Sequence, residues 1–258
     1  MPPQSKKKKR LPAPQIILVT GANKGLGLSI IQVVAQRESP TPRNTCILCS
    51  RDIDAGQKAA QELRAQGYVT GDEQIAAAVK YVEETYGRLD VLINNAGTLI
   101  TPPNTTTTTT FPNLPTTRQS YNAILNLHIT SIALTTLSFT ALLHQSPSPK
   151  VINISSDIAS MQNVLTATTN APRHPPYAAS KIGMNGLTVH MQVSEDDRVR
   201  EEGAMKPRIR FYAVAPGPLK TGFNGFSGPR APEEGAEVVV RLVRDEGVFE
   251  GGMRVVPW

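Results

Sequence analysis

The sequence predicts an α/β fold: a doubly wound parallel sheet with helices on both faces, in three αβα layers. Three observations carry that expectation. Short apolar runs rich in β-branched residues alternate with longer helical patterns, as a parallel sheet covered on both faces requires. The first run ends in the glycine cluster Gly21, Gly25 and Gly27, where a strand must turn sharply into a helix. Finally, 258 residues at 40% hydrophobic content suffice to bury one large core.

In chain order, strands are expected at 16–20, 45–49, 89–94, 150–155, 209–215 and 253–256. Helices are expected to start at Gly25, Asp54, Asp72, Arg118, Tyr177 and Pro232. The strand at 45–49 holds both cysteines, Cys46 and Cys49. Residues three apart on a strand face opposite ways, so the two thiols do not converge on a metal, and core packing is the expectation for both. No second Cys pair or spaced His pair completes a zinc site, and no metal is expected. The segment 102–117 differs from the rest, being a threonine run between prolines. It reads as a surface loop after a strand's carboxyl end, either flanking a site or inert.

Charge narrows the function classes. Of the net +6, Lys6, Lys7, Lys8, Lys9 and Arg10 supply five, leaving about one over the remaining chain. The basic residues therefore sit on a tail, expected to be disordered over 1–14, while 15–258 is expected to form a single domain. A nucleic-acid reader would carry them as a patch on the fold, so no nucleic-acid partner is expected. No apolar stretch resembles a secretory signal and none approaches a membrane span, which predicts a soluble cytoplasmic protein with no membrane partner.

The glycine cluster has a mechanical role. Gly21, Gly25 and Gly27 let the chain turn, let its backbone approach a pyrophosphate, and start a helix whose amides face that anion. With them stand Asn23, Lys24 and Leu26 of the same loop. At the end of the second strand, an acid would bind a free ribose 2′-hydroxyl, whereas this chain offers Ser50 and Arg51, with Lys24 nearby. Guanidinium and ammonium groups suit a 2′-phosphate, so NADP(H) is the expected cofactor, although Asp52 follows Arg51.

Thr20 to Gly27, the run Asn94-Asn95-Ala96-Gly97, Tyr177-x-x-x-Lys181 and Pro216-Gly217 together resemble the short-chain dehydrogenase/reductase family. Within it, the phrase Thr20-Gly-Ala-Asn-Lys-Gly25 and the stretch from Pro232 to the terminal Trp258 are similar to the carbonyl reductase branch. A Tyr-x-x-x-Lys spacing arises by chance too often to mean much alone; its place after Asn153-Ile-Ser-Ser156 and before Pro216-Gly217 gives it weight. The resemblance implies a Rossmann-type sheet and reduction of a small ketone or aldehyde, with hydride from the cofactor and a proton from Tyr177. A free phenol has a pKa of about 10, so a cation is expected to lower it, and Lys181 lies one helical turn away on the same face. The resemblance also implies that Lys181 binds the nicotinamide ribose, that Ser156 bonds the substrate oxygen, and that Asn126 holds a relay water. Because adjacent strand residues face opposite ways, only one of Ser155 and Ser156 reaches the substrate, and family register favours Ser156. Further cofactor contacts are implied at Asn95, Ala96, Gly97, Pro216, Gly217 and Thr221. In the loop from Pro216 to Pro232, Phe223 and Phe226 either line an apolar pocket or anchor the loop.

Two departures stand out. Where the family places a third strand, only Tyr68-Val-Thr-Gly71 remains, so the edge strand is expected to be short or missing. Ser156 and Tyr177 are also unusually far apart, with His174, Pro175 and Pro176 just before the tyrosine. An insertion between Ser156 and Tyr177 can be absorbed without moving either group, but the truncated third strand makes a catalytically impaired dinucleotide-binding scaffold or sensor the alternative class, with an alcohol-oxidising dehydrogenase a third. By resemblance, a homodimer or homotetramer is expected, paired through helices at 118–144 and 177–200.

Overall fold

The computed structural model describes residues 14–38, 43–50, 52–63, 72–99, 113–166, 174–203, 205, 207–244 and 255–256. The basic tail, Arg51, most of the threonine run and Tyr68 to Gly71 lie outside the described residues.

Six parallel strands form one sheet: β1 (Ile16–Thr20), β2 (Thr45–Cys49), β3 (Val91–Asn94), β4 (Lys150–Ile154), β5 (Arg210–Val214) and β6 (Val255–Val256). Their order across the sheet is β2-β1-β3-β4-β5-β6. Among the described residues no strand lies outside β2, which forms that margin. The helices are α1 (Gly25–Arg37), α2 (Ile53–Leu63), α3 (Asp72–Tyr86), α4 (Leu114–Leu125), α5 (Ser131–Leu143), α6 (Met161–Thr166), α7 (Pro175–Glu202) and α8 (Pro232–Arg244).

The two faces follow from strand alternation. Ile17 and Val19 of β1 pack with Ile30, Ile31, Val33 and Val34 of α1 and with Val239, Val240 and Val243 of α8. Ile16 and Leu18 face the other way, toward Ala78 and Val82 of α3 and Phe139, Leu142 and Leu143 of α5. The cysteines divide likewise: Cys46 packs against the first cluster and Cys49 belongs to the second. Burial pushes both thiols up to about 12, with Glu38 adding to the rise at Cys46, so both stay neutral packing groups.

Buried polar groups lock the layers together. The Lys150 ammonium donates to the carbonyls of Leu242 and Val243 at 2.8 and 2.7 Å, capping the carboxyl end of α8 from inside the sheet. Asn94 donates to Thr136 (3.2 Å) and Asn153 (2.8 Å), and Asn153 donates to Thr188 of α7 (2.9 Å). These bonds fix α5 and α7 against β3 and β4 with their partners satisfied.

Between α4 and α5 the helix does not break but widens into one π-helical turn, Asn126–Thr130. Ser131 Oγ donates to the Asn126 carbonyl at 3.1 Å across it. The resulting continuous helix from Leu114 to Leu143 is long enough to span a membrane, and an 18-residue window within it has a mean hydropathy of 1.3, which a core helix covering a sheet also reaches. Phe139, Leu142 and Leu143 account for part of this apolarity by covering the sheet.

Candidate active site

A parallel sheet gathers the carboxyl ends of all its strands along one side. The chain leaves β1 for β2 on one flank and later returns to β3 on the other, so the loops after β1 and β3 diverge from adjacent strands, the crevice where open α/β sheets take ligands. Thr20 closes the base of this crevice, its Oγ1 accepting from the amides of Asn95 (2.9 Å) and Ala96 (3.0 Å). The Asn95 side chain returns the contact, donating to the Thr20 carbonyl at 2.8 Å and the Gly21 carbonyl at 3.1 Å.

This packing explains two of the glycines. Gly21 has φ +62°, and a Cβ there would lie 2.9 Å from the Ala96 Cα. At Gly27 a Cβ would sit 2.5 Å from Asn95 Nδ2 and 2.7 Å from the Gly21 carbonyl oxygen. The first turn of α1 therefore rises directly from the crevice with its amides toward the loop, a cradle of the shape and polarity that an anion needs. Lys24, in extended conformation before α1, is exposed, while Asn23 and Leu26 are half-buried. Thr221 lies buried beside Gly25, whose Cβ would stand 3.6 Å from the threonine's side chain. Pro216 is buried, and Gly217 takes φ +77° to turn the chain out of β5.

The chemical groups stand over the ends of β4 and β5. Pro175 and Pro176 start α7, where their missing N–H groups cost no helical bond, and Tyr177 follows in the first turn. Tyr177 is 9% exposed. Ser156 stands beside its phenol, near enough for its side chain to favour the charged form. Ser155 instead donates to Asn185 at 2.7 Å, so the two adjacent serines do face apart. Lys181, buried on the same helix, holds its ammonium 5.8 Å from the tyrosine ring centre and donates to the Ile154 carbonyl at 2.6 Å. Phe223 rests on Tyr177 with ring centres 5.6 Å apart, while Phe226 is exposed with φ +62°.

Charge behaviour here differs from the expectation that Lys181 lowers the phenol's pKa. Burial leads and pushes Tyr177 up to about 12; the Ser156 side chain opposes this and the Asp157 carboxylate adds to it. Burial also brings Lys181 down to about 7. Tyr177 thus holds its proton across the neutral range, while Lys181 titrates within it.

Asn126 opens the π-helical turn and is exposed. The side chain of that turn which reaches Tyr177 is His128, fully buried, with ring centres 5.5 Å apart and planes nearly perpendicular. Sequence reasoning missed it. The signal present was a histidine two places beyond Asn126, but α-helical periodicity does not register the extra residue of a π turn. Burial, then the Lys181 ammonium, lowers the His128 pKa to about 3, so the ring is neutral.

Comparison with known proteins places this geometry in context. A family model described as short chain dehydrogenase matches residues 15–230. A short-chain dehydrogenase/reductase of Aspergillus fumigatus is 49% identical over 264 residues, covering 95% of this chain and 97% of that protein. Human carbonyl reductase [NADPH] 3 is 26% identical over 269 residues, covering 88% and 90%. Among solved structures, NADPH-bound carbonyl reductase from chicken fatty liver superposes with a TM-score of 0.71 at 24% identity, covering 91% and 92% of the two chains.

Proposed function

Since the chain belongs to the short-chain dehydrogenase family of oxidoreductases, we propose that it is an NADP(H)-dependent reductase that converts a ketone or aldehyde to an alcohol, with Tyr177 as general acid. The observation that carries this reading is the convergence of Tyr177, Ser156 and Lys181 beside the glycine cradle. When bound, the reduced nicotinamide supplies the hydride that reaches the carbonyl carbon.

The chain's own residues supply the rest. Tyr177, protonated throughout the neutral range, delivers its proton to the carbonyl oxygen as negative charge builds there. The Ser156 hydroxyl shares that oxygen with the phenol and orients it. Lys181, in its charged form, stabilises the phenolate left behind. The backbone from Gly21 to Gly27, with Asn23, Lys24, Gly25 and Leu26, receives the pyrophosphate at the start of α1. Asn95, Ala96 and Gly97 wall the crevice, and Pro216, Gly217 and Thr221 close it from the β5 side. Asn126 is exposed, so a relay role for it has less support than the other assignments.

For the phosphate preference, Asp52 is instructive. One oxygen of its carboxylate accepts from the Ala55 amide at 2.9 Å, capping α2. Lys24 and Arg51 are the cations offered to a 2′-phosphate, in line with the NADPH bound by the chicken liver carbonyl reductase.

The test is NADPH oxidation across a panel of ketones and aldehydes, with Tyr177→Phe alongside. Turnover in the parent and a loss of at least about a thousandfold in the variant is the expected result. Unchanged turnover in Tyr177→Phe would sink the assignment. NADPH binding with no turnover across the panel would favour a dinucleotide-binding scaffold instead.

A further inference from the structure

We infer that His128, as its Nδ1–H tautomer, is a positioning residue that sets Tyr177 by joining the loop after β3 to the first turn of α7. The inference rests on the reading of Tyr177 as the acid. Its direction is fixed by donors that have only one role. The Thr98 amide can only donate, so His128 Nε2, 3.2 Å away, is the acceptor. A neutral ring then carries its single proton on Nδ1, which donates to Ser180 Oγ at 2.8 Å. Ser180 Oγ in turn donates to the Tyr177 carbonyl at 2.7 Å. Three bonds thus run in one sense from the crevice loop to the backbone of the reacting tyrosine.

Packing reinforces the chain of bonds. His128 and Ser180 are fully buried, so water offers neither group a substitute partner. The imidazole meets the Tyr177 ring edge to face, and a Cβ on Gly97 would lie 3.0 Å from Nε2, so the loop closes directly on the ring. A purely space-filling aromatic would give the ring contact without either hydrogen bond. Protonation of His128 would turn Nε2 into a second donor facing the Thr98 amide, which the site does not accommodate.

The experiment uses the full chain. In the cofactor-free protein, ¹⁵N spectra of the imidazole should show His128 neutral and protonated at Nδ1; protonation at Nε2 would overturn the inference. His128→Phe keeps the ring and loses both bonds, whereas His128→Asn keeps a donor near the Nδ1 position. Turnover should fall about tenfold in the phenylalanine variant, with the KM for NADPH within about twofold of the parent, and should recover in part in the asparagine variant. Turnover within about twofold of the parent in His128→Phe, or a loss that tracks melting temperature without rescue by asparagine, would refute it. The Tyr177 ¹³Cζ resonance, which reports hydrogen bonding at the phenol, should shift in His128→Phe and return toward its parent position in His128→Asn. Should the parent reduce no carbonyl, the reductase reading falls, while the tautomer and this resonance still decide whether His128 sets the phenol.

Discussion

At Lys181 a buried ammonium is held by one backbone carbonyl, and burial has brought its pKa to about 7. The sign of the resulting pH dependence follows directly. Below 7 the group is charged and stabilises a developing phenolate; as pH rises through 7 the charge, and with it that stabilisation, is lost. Carbonyl reduction is therefore expected to decline on the alkaline side of pH 7 in kcat/KM for NADPH, which reports the free enzyme. Lys181→Arg should remove that limb up to pH 9, because a guanidinium keeps its charge. A flat parent profile from pH 6 to 9 would count against a titrating Lys181. Tyr177 and Lys181 could be found in the sequence because their place between Asn153-Ile-Ser-Ser156 and Pro216-Gly217 matches a family order that the bare four-residue spacing could not supply, and the alternation of strand side chains separates Ser155 from Ser156. Neither pKa could be read that way, since both are set by burial from neighbours far along the chain. His128 was hidden for a related reason: a π turn, not an α turn, aims it inward.

Among the elements, the unit of β1, its loop and α1 was legible to the residue, because glycine spacing dictates where strand gives way to helix. Its sensitivity is equally local. Gly27→Ala places a methyl group against Asn95 and the Gly21 carbonyl, so NADPH affinity measured by fluorescence titration should fall about tenfold or more. Affinity equal to the parent's would show that the loop yields there. The start of α4 was less legible. Asn113 caps it by accepting from the Thr116 amide at 3.1 Å, and Pro115 sits in its first turn, so the helix begins at Leu114 rather than at Arg118. These signals lie at the end of a threonine run that reads as loop. A third case joins three elements: Glu195 of α7 accepts from Arg198 (2.6 Å), from the Ile209 amide before β5 (2.9 Å) and from His144 after α5 (3.3 Å). Burial would raise its pKa, but Arg198, the Ile209 amide and His144 outweigh that and hold it below 4.5. Its contribution is thus present above pH 4.5 and lost as pH falls through the lowered value. Glu195→Gln should lose about 2 kcal/mol in urea unfolding at pH 7, with the difference narrowing in acid. An unchanged midpoint at pH 7 would argue against the network.

At the level of the whole molecule, the alternation of runs foretold the parallel sheet, and the strand order places the crevice between β1 and β3. The side of the molecule formed by α5 and α7 leaves Leu134, Leu137, Ile182 and Val193 exposed. Leu134 and Leu137 are one turn apart on α5, while Ile182 and Val193 share a stripe of α7, an arrangement suited to pairing with a second copy. Sedimentation at micromolar concentration should give a dimer or larger, and Leu137→Glu should shift it toward monomer; a monomeric parent would refute the pairing. The path of the chain after β5 has a different consequence. The Lys220 amide donates to the Arg230 carbonyl at 2.7 Å, and a Cβ on Gly228 would overlap the Leu219 carbonyl group, so the chain passes tightly over itself. What lies between, including the Phe223 that covers Tyr177, is a noose drawn shut at its neck. Beyond Thr221, which is buried against the cradle, its residues 222–227 are largely exposed, so they can be exchanged as a cassette, changing which molecules reach the phenol without re-engineering the scaffold that holds it.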